Sequence, residues 1–296
     1  MNRTAVDDRA PAAPRPALAP PPPAISADEP WYVRLRWCAG DAATVTRRYL
    51  IQLRGAPERA VMALLLPLVF TVLFVYVLGS NMQSPGGSSY VDFLLPGMLA
   101  QMTVFGVSAS AGVVVEDKEK GVIDRFHSLP MSRAGVPVGQ SVAEIIGGAI
   151  SLLVMAGCGL LVGWRPDGSA AGITGGFLLL VLARYAFSWL GIWLGLVVRS
   201  RAVTDLIGML TFPLTMVSNI FVPADGMTPA LRLVAEWNPV SAIVSAARGL
   251  FGDPMAVPPD AAWPTAHPVA AALGWCAVLL AVFGPLAVRA FHTPRY

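Results

Sequence analysis

Apolar residues run through this chain in long blocks rather than in the short alternating stripes of a soluble domain. Six blocks, 60–79, 93–115, 135–164, 170–198, 203–224 and 268–288, are each long enough to be a helix crossing a hydrocarbon layer that needs about 20 residues. Glu144, Arg184 and Asp205 interrupt the third, fourth and fifth. Residues 31–59 read differently. Leu35, Cys38, Ala42, Val45, Tyr49 and Leu53 recur every three or four positions, while Arg36, Arg47 and Arg54 follow a neighbouring stripe. This predicts an amphipathic helix, with Trp31, Tyr32 and Trp37 suited to a headgroup layer. The connection 225–267 holds two short apolar helical patterns broken at Asn238 and Pro239. Neither can span, so a re-entrant hairpin dipping in from the outer side is expected, with a small external cap as the alternative.

Composition turns these blocks into a fold class. Of 296 residues 55% are hydrophobic and only 13% charged, about half the usual charged share, and the mean hydropathy is +0.61. The expectation is an all-α polytopic membrane protein, with a six-span domain over 60–296. Residues 1–30 carry eight prolines and too little apolar content to pack, and read as a disordered tail. A net charge of +3 without a basic cluster argues against nucleic-acid binding. Cys38, Cys158 and Cys276 lack the spacing of a zinc site or disulfide framework, and no cleaved signal peptide is read at the N-terminus.

The few charges then give an orientation. Seventeen of the 21 Lys and Arg residues fall in the tail, the first helix, the connections after the second and fourth blocks, and the C-terminus. Only Arg165, Arg232 and Arg248 fall on the opposite side. The positive-inside bias puts both termini in the cytoplasm of a plasma-membrane protein. Arg184, midway along the fourth block, should face protein or water rather than lipid. It can line a path or pair with Glu144 or Asp205. Pro67 and Pro213 are candidate kinks, and Gly191 and Gly195 form a GxxxG packing motif.

Residues 113–148, VVVEDKEKGVIDRFHSLPMSRAGVPVGQSVAEIIGG, are the most informative stretch. Eight charges crowd into 116–133, and Glu116, Lys120 and Asp124 are spaced to pair along one short helix ended by Pro130 or Ser132. The segment resembles the cytoplasmic signature of type 2 ABC exporter permeases, in which an acidic-basic-Gly run leads to an Arg-aromatic pair and a Leu-Pro-x-Ser-Arg close. Two further stretches are similar to the daunorubicin-resistance permease family. RGAPERAVMALLLPLVFTVLFVYVLG resembles its first span, and FPLTMVSNIFVPADGMTPALRLVAEWNPVSAIVSAARGLF its fifth span with the re-entrant region.

The resemblance implies a permease that works as a dimer, with two copies of a separate ATP-binding subunit that holds ATP and magnesium. The sequence agrees from its own side. It has no GxxxxGK[ST] phosphate loop, and its only lysines, Lys118 and Lys120, follow no glycine-rich turn. No catalytic site, metal cluster or GxSxG elbow is read in it, and His127, His267 and His292 are scattered. The family pattern implies ATPase coupling by Arg36, Arg47, Arg54, Glu116, Asp117, Lys118, Glu119, Gly121, Asp124, Arg125, Phe126, Leu129 and Pro130. Arg184, Phe212, Asn219 and Phe221 are candidates for the export path. Expected partners are the ATP-binding subunit, a second permease copy, membrane lipid and a small amphiphilic substrate such as an antibiotic. The competing expectation is an ion-coupled secondary transporter with Glu144, Arg184 and Asp205 as its relay.

Overall fold

The computed structural model describes residues 30–55, 57–78, 89–129, 132, 134–198, 200–221, 227–253 and 261–292. The proline-rich tail (all but Pro30), Pro130 and the last residues of the fifth block lie outside them. Among the described residues the chain is all-helical: α1 (Trp31–Gly55), α2 (Pro57–Leu73), α3 (Tyr90–Glu119), α4 (Val122–Ser128), α5 (Gly135–Val162), α6 (Ala170–Val197), α7 (Arg201–Met216), α8 (Pro229–Trp237), α9 (Pro239–Phe251), α10 (Trp263–Ala266) and α11 (Pro268–His292). A π-helical turn, Phe74–Leu78, extends α2.

Four of these, α3, α5, α6 and α11, are long and apolar enough to cross a membrane. Polar caps set where several helices begin. The Ser169 hydroxyl accepts from the Gly172 N–H at the start of α6, and the Asn238 side chain accepts from the Val240 N–H at the start of α9. The helices expected to be the first and fifth crossings are shorter. α2 has 17 residues before its π turn and α7 has 16, roughly 24–26 Å of helix at 1.5 Å per residue. The fifth block was expected to stay helical to 224, but α7 ends at Met216 and the chain turns through residues 217–221. The carbonyls of Asn219 and Ile220 are taken there by the Arg248 guanidinium, at 2.9 and 2.8 Å, instead of by later helical N–H groups.

α3 is the central post, with Leu94, Leu95, Met98, Leu99 and Ala100 fully buried. α6 lies directly against it. A Cβ on Gly195 would come within 2.7 Å of the Ala111 carbonyl, and one on Gly191 would collide with the Val107 carbonyl. The GxxxG motif therefore lets two backbones touch. The break at Asn238 and Pro239 is where it was expected. α9 beyond it is no surface element: Ala242, Val244, Ala246, Ala247 and Phe251 are buried among α3, α6 and α11.

α1 follows the amphipathic pattern. Ala42 and Val45 are buried against α5, while Arg36, Arg47 and Arg54 are exposed. One expectation fails in the charged segment. Glu116, Lys120 and Asp124 do not share a helix, because Gly121 adopts φ +64° and splits the segment into the end of α3 and the separate α4. Only the Glu116–Lys120 pair survives, at 2.5 Å. The left-handed backbone at Gly121 suits glycine, since a side chain there would meet its own carbonyl.

Candidate functional site

The charged segment is built into a knot of five helices. On α1, Arg48 reaches across to Asp117 on α3 and donates two hydrogen bonds, 3.0 Å to Oδ2 and 2.6 Å to Oδ1. The Tyr49 hydroxyl donates a third to Oδ2 at 2.5 Å. Asp117 is buried, so a satisfied fork and phenol are what make its charge tolerable there. Burial, with the Asp117 carboxylate beside it, holds the Tyr49 phenol well above its usual range, which keeps it protonated as a donor. The Arg48 guanidinium also lies 5.5 Å from the centre of the Phe126 ring on α4.

The next residue faces the other way. The Lys118 ammonium donates to the carbonyls of Gly195, Leu196 and Val198 at 3.1, 2.8 and 2.8 Å. These belong to the last turn of α6, whose carbonyls lack helical partners and carry the negative end of the helix dipole. α4 is fixed to α11 by a 2.8 Å hydrogen bond between His127 Nε2 and the Phe291 carbonyl. Val45, Val136 and Phe291 form a small core beneath, with Phe126 and Tyr49 against it. A displacement of α4 must therefore carry α1, α3, the end of α6 and the end of α11 with it.

Beside the knot a cleft of about 500 Å³ opens between α1, α3, α5 and α6. Leu50 and Leu53 wall it on one side and Ala109, Val113 and Ala143 on the other. At its far end Arg184 Nη2 meets Glu144 Oε2 at 2.7 Å, and Nη1 donates to the Met102 carbonyl at 3.2 Å. The guanidinium fits because its neighbours lack side chains. A Cβ on Gly106 would lie 2.7 Å from Nη1, and one on Gly148 2.7 Å from Arg184 Cγ. This is the pairing open in the sequence, with Glu144 rather than Asp205, which is exposed on α7 and lines no part of the cleft.

The family model described as ABC-2 type transporter matches residues 42–251. This chain belongs to the ABC-2 type transporter family. It is 28% identical over 254 residues, 85% of this chain and 86% of the relative, to the daunorubicin resistance ABC transporter permease protein DrrB1 of Streptomyces coeruleorubidus. The matched span of the ABC-2 domain runs from within α1 to the end of α9 and so includes the cleft, the buried α9 and all of the knot except the end of α11.

Within this ABC-2 chain the residues expected to couple to an ATPase divide into two sets. Asp117 and Lys118 point inward and hold helices together, and Phe126 is half-buried against them. Glu119, Asp124, Arg125 and Leu129 are exposed on one stretch, as are Arg36, Arg47 and Arg54 along α1. Gly121 is the joint between α3 and α4. Of the four residues expected along a path, Arg184 lines the cleft, while Phe212 and Phe221 lie together with ring centres 6.5 Å apart, Phe212 stacked on Phe70 at 5.2 Å and Phe221 packed on Phe74 at 5.0 Å. Asn219 is buried and donates through Nδ2 to Ser245 Oγ at 2.7 Å.

Two residues that matter here were passed over in the sequence. Arg48, not its neighbour Arg47, makes the pair with Asp117. Arg248 is fully buried and donates to the carbonyls of Phe93, Asn219 and Ile220, with its guanidinium 3.7 Å from the centre of the Phe93 ring. The available signal was a lone cation inside an otherwise apolar helix, PVSAIVSAARGLF.

Proposed function

We propose that this chain is the membrane-spanning permease subunit of an ATP-driven exporter that moves amphiphilic compounds out of the cell. The observation that carries the reading is the knot around Asp117 and Lys118, set within an ABC-2 domain. An exposed, charge-rich face on α4 is tied to α1, α3, α6 and α11 through the Arg48–Asp117 ion pair, the Lys118 cap on α6 and the His127 contact with α11. That is what a coupling element needs: a polar docking rim on one side and a stiff connection to the transport helices on the other. The motor is a separate ATP-binding subunit, two copies of which dock on a pair of permease chains, and they supply the ATP and magnesium sites. α2 with its π turn and α7 complete six crossings beside the four long helices, both termini are cytoplasmic, and α8 and α9 form the re-entrant hairpin on the outer side.

In this mechanism closure of the paired ATP-binding subunits draws the two α4 faces together. The inward-open and outward-open states differ in affinity for the closed motor, and that difference drives the change. A drug-like amphiphile is supported by the similarity to a daunorubicin resistance permease. The ion-coupled alternative has Glu144 and Arg184 in contact, but its third member, Asp205, is apart from them. The test is co-expression with an ABC ATP-binding subunit. Co-purification that is lost on Arg125→Glu supports the reading, and a permease that transports with every such subunit deleted refutes it.

A further inference from the structure

The exposed face of α1 is as ordered as its buried one. At about 3.6 residues per turn, Arg36, Arg47 and Arg54 lie three and then two turns apart on one line along the helix, opposite the buried Val45. All three are exposed, and none of them makes an ion pair among the described residues. Asp41, the one acidic residue of α1, turns aside and accepts from the Ser132 N–H at 2.7 Å. Trp37 is exposed beside Arg36, and Ile51, 57% exposed, lies one turn from both Arg47 and Arg54. The opposite face is fixed on α5, where Gly139 makes room for Ala42 and Val45, so the arginines point away from the bundle. Arg54 stands three residues before Pro57, where α2 begins.

We infer that this face of α1 is a site for anionic phospholipid, with a headgroup phosphate held between Arg47 and Arg54 and an acyl chain against Ile51. Two turns of helix separate the two Cα atoms by about 10 Å, a gap that two long side chains close on one phosphate. Guanidinium forks match phosphate oxygens and are more weakly hydrated than ammonium groups. Arg36 and Trp37 carry positive charge and an interfacial ring on toward the helix N-terminus. The sign of the charge chooses lipid over an ATP-binding subunit. The exposed stretch around α4 mixes Glu119 and Asp124 with Arg125, the pattern of a face that meets a protein of mixed charge. This face of α1 carries one sign only, next to exposed apolar side chains, which fits a negatively charged surface with an apolar interior. The site needs no role in export: a bound anionic lipid pins α1, and with it the Arg48 fork on Asp117, at the membrane surface.

The test uses the full-length chain with Cys38→Ser, Cys158→Ser and Cys276→Ala and a bimane label on Ile51→Cys, a label apolar enough to keep the acyl contact. The protein is reconstituted in phosphatidylcholine bilayers, and quenching is titrated with brominated phosphatidylglycerol or brominated phosphatidylcholine. Phosphatidylglycerol should be preferred by about fivefold for each arginine on the phosphate, the effect of one basic residue near an anionic surface. Arg47→Gln with Arg54→Gln should abolish the preference, and Arg47→Lys with Arg54→Lys should keep a large part of it, since the charge remains. High salt should weaken it. Equal quenching by the two lipids in the labelled parent, or a preference unchanged by the glutamine pair, overturns the inference. So does an ABC ATP-binding subunit that shields the label from both lipids, because the face then belongs to the motor. A label that neither lipid quenches in the permease alone overturns it too, in favour of a second copy of the chain. ATP-dependent export is read separately and stands or falls with none of these results.

Discussion

Arg48 and Asp117, 69 residues apart in the chain, meet in a two-pronged hydrogen bond of 3.0 and 2.6 Å that joins the amphipathic helix α1 to the central post α3. This pair makes α1 part of the transport body rather than a loosely attached surface helix. If α1 were held only by the apolar contacts of Ala42 and Val45, it could slide along α5; the fork fixes its register.

Removing one partner should therefore be worse than removing both. Asp117→Ala leaves Arg48 and Tyr49 without their acceptor and should destabilise the detergent-solubilised protein by about 2–3 kcal/mol. The double variant Arg48→Met with Asp117→Leu should recover part of that. A double-mutant cycle on thermal unfolding measures the coupling, and strict additivity would show that the pair does not act as a unit.

The Tyr49 phenol gives a pH signature. Its protonation is favoured in the folded state by burial and by Asp117, so its folded pKa lies above the unfolded value of about 10. The stability it contributes is fully present below pH 10 and is lost as pH rises past that value. Tyr49→Phe should lower the unfolding temperature at pH 7. The gap between variant and wild type should narrow as pH rises above about 10, and a gap that is constant to pH 11 would contradict the assignment.

Glu144 and Arg184 form an ion pair between the long helices α5 and α6, at 2.7 Å. Glu144→Gln leaves the guanidinium with carbonyl partners alone and should destabilise by about 2 kcal/mol. Glu144→Gln with Arg184→Gln should cost less than the single change. An ion-coupled carrier would instead lose proton dependence of transport in Glu144→Gln, which efflux assays at two external pH values would detect.

Arg248 holds the unwound end of α7 by its carbonyls. Arg248→Met removes all three carbonyl contacts with Phe93, Asn219 and Ile220 and should lower stability by about 2–4 kcal/mol. Arg248→Lys should rescue only part of it, because an ammonium cannot reproduce the planar fork. Thermal unfolding of the three proteins in one detergent decides it.

These residues also mark how far the sequence can be read. Helix positions follow from apolar runs and periodicity, and the Asn238–Pro239 break was visible because both residues stop a helix for local reasons. The inner and outer sets of the charged segment were not visible. Asp117 and Glu119 look alike in a charge run, and only the position of Arg48 on a helix 69 residues away tells that one is buried. The i, i+4 ladder through Glu116, Lys120 and Asp124 failed because Gly121 can take a left-handed backbone that a spacing rule ignores. Arg248 enters the charge count only as an outer-side cation of the connection 225–267, yet the apolar residues around it in α9 are the sign that its charge is satisfied inside.

The joint at Gly121 carries a prediction of its own. Proline cannot adopt φ +64°, so Gly121→Pro should detach α4 from its seat on α11 while the chain still inserts. Co-purification with the ATP-binding subunit should fall to background in that variant and remain in Gly121→Asn, since asparagine tolerates the left-handed region.

The most direct test of the account is uptake into inside-out vesicles that contain the permease and its ATP-binding subunit. Rhodamine 6G should accumulate only with ATP, should fail to accumulate when the ATP-binding subunit is omitted, and should be unaffected by an uncoupler. Accumulation without that subunit, or accumulation abolished by the uncoupler while ATP is present, would contradict the claim that this chain is driven by a docked ATPase.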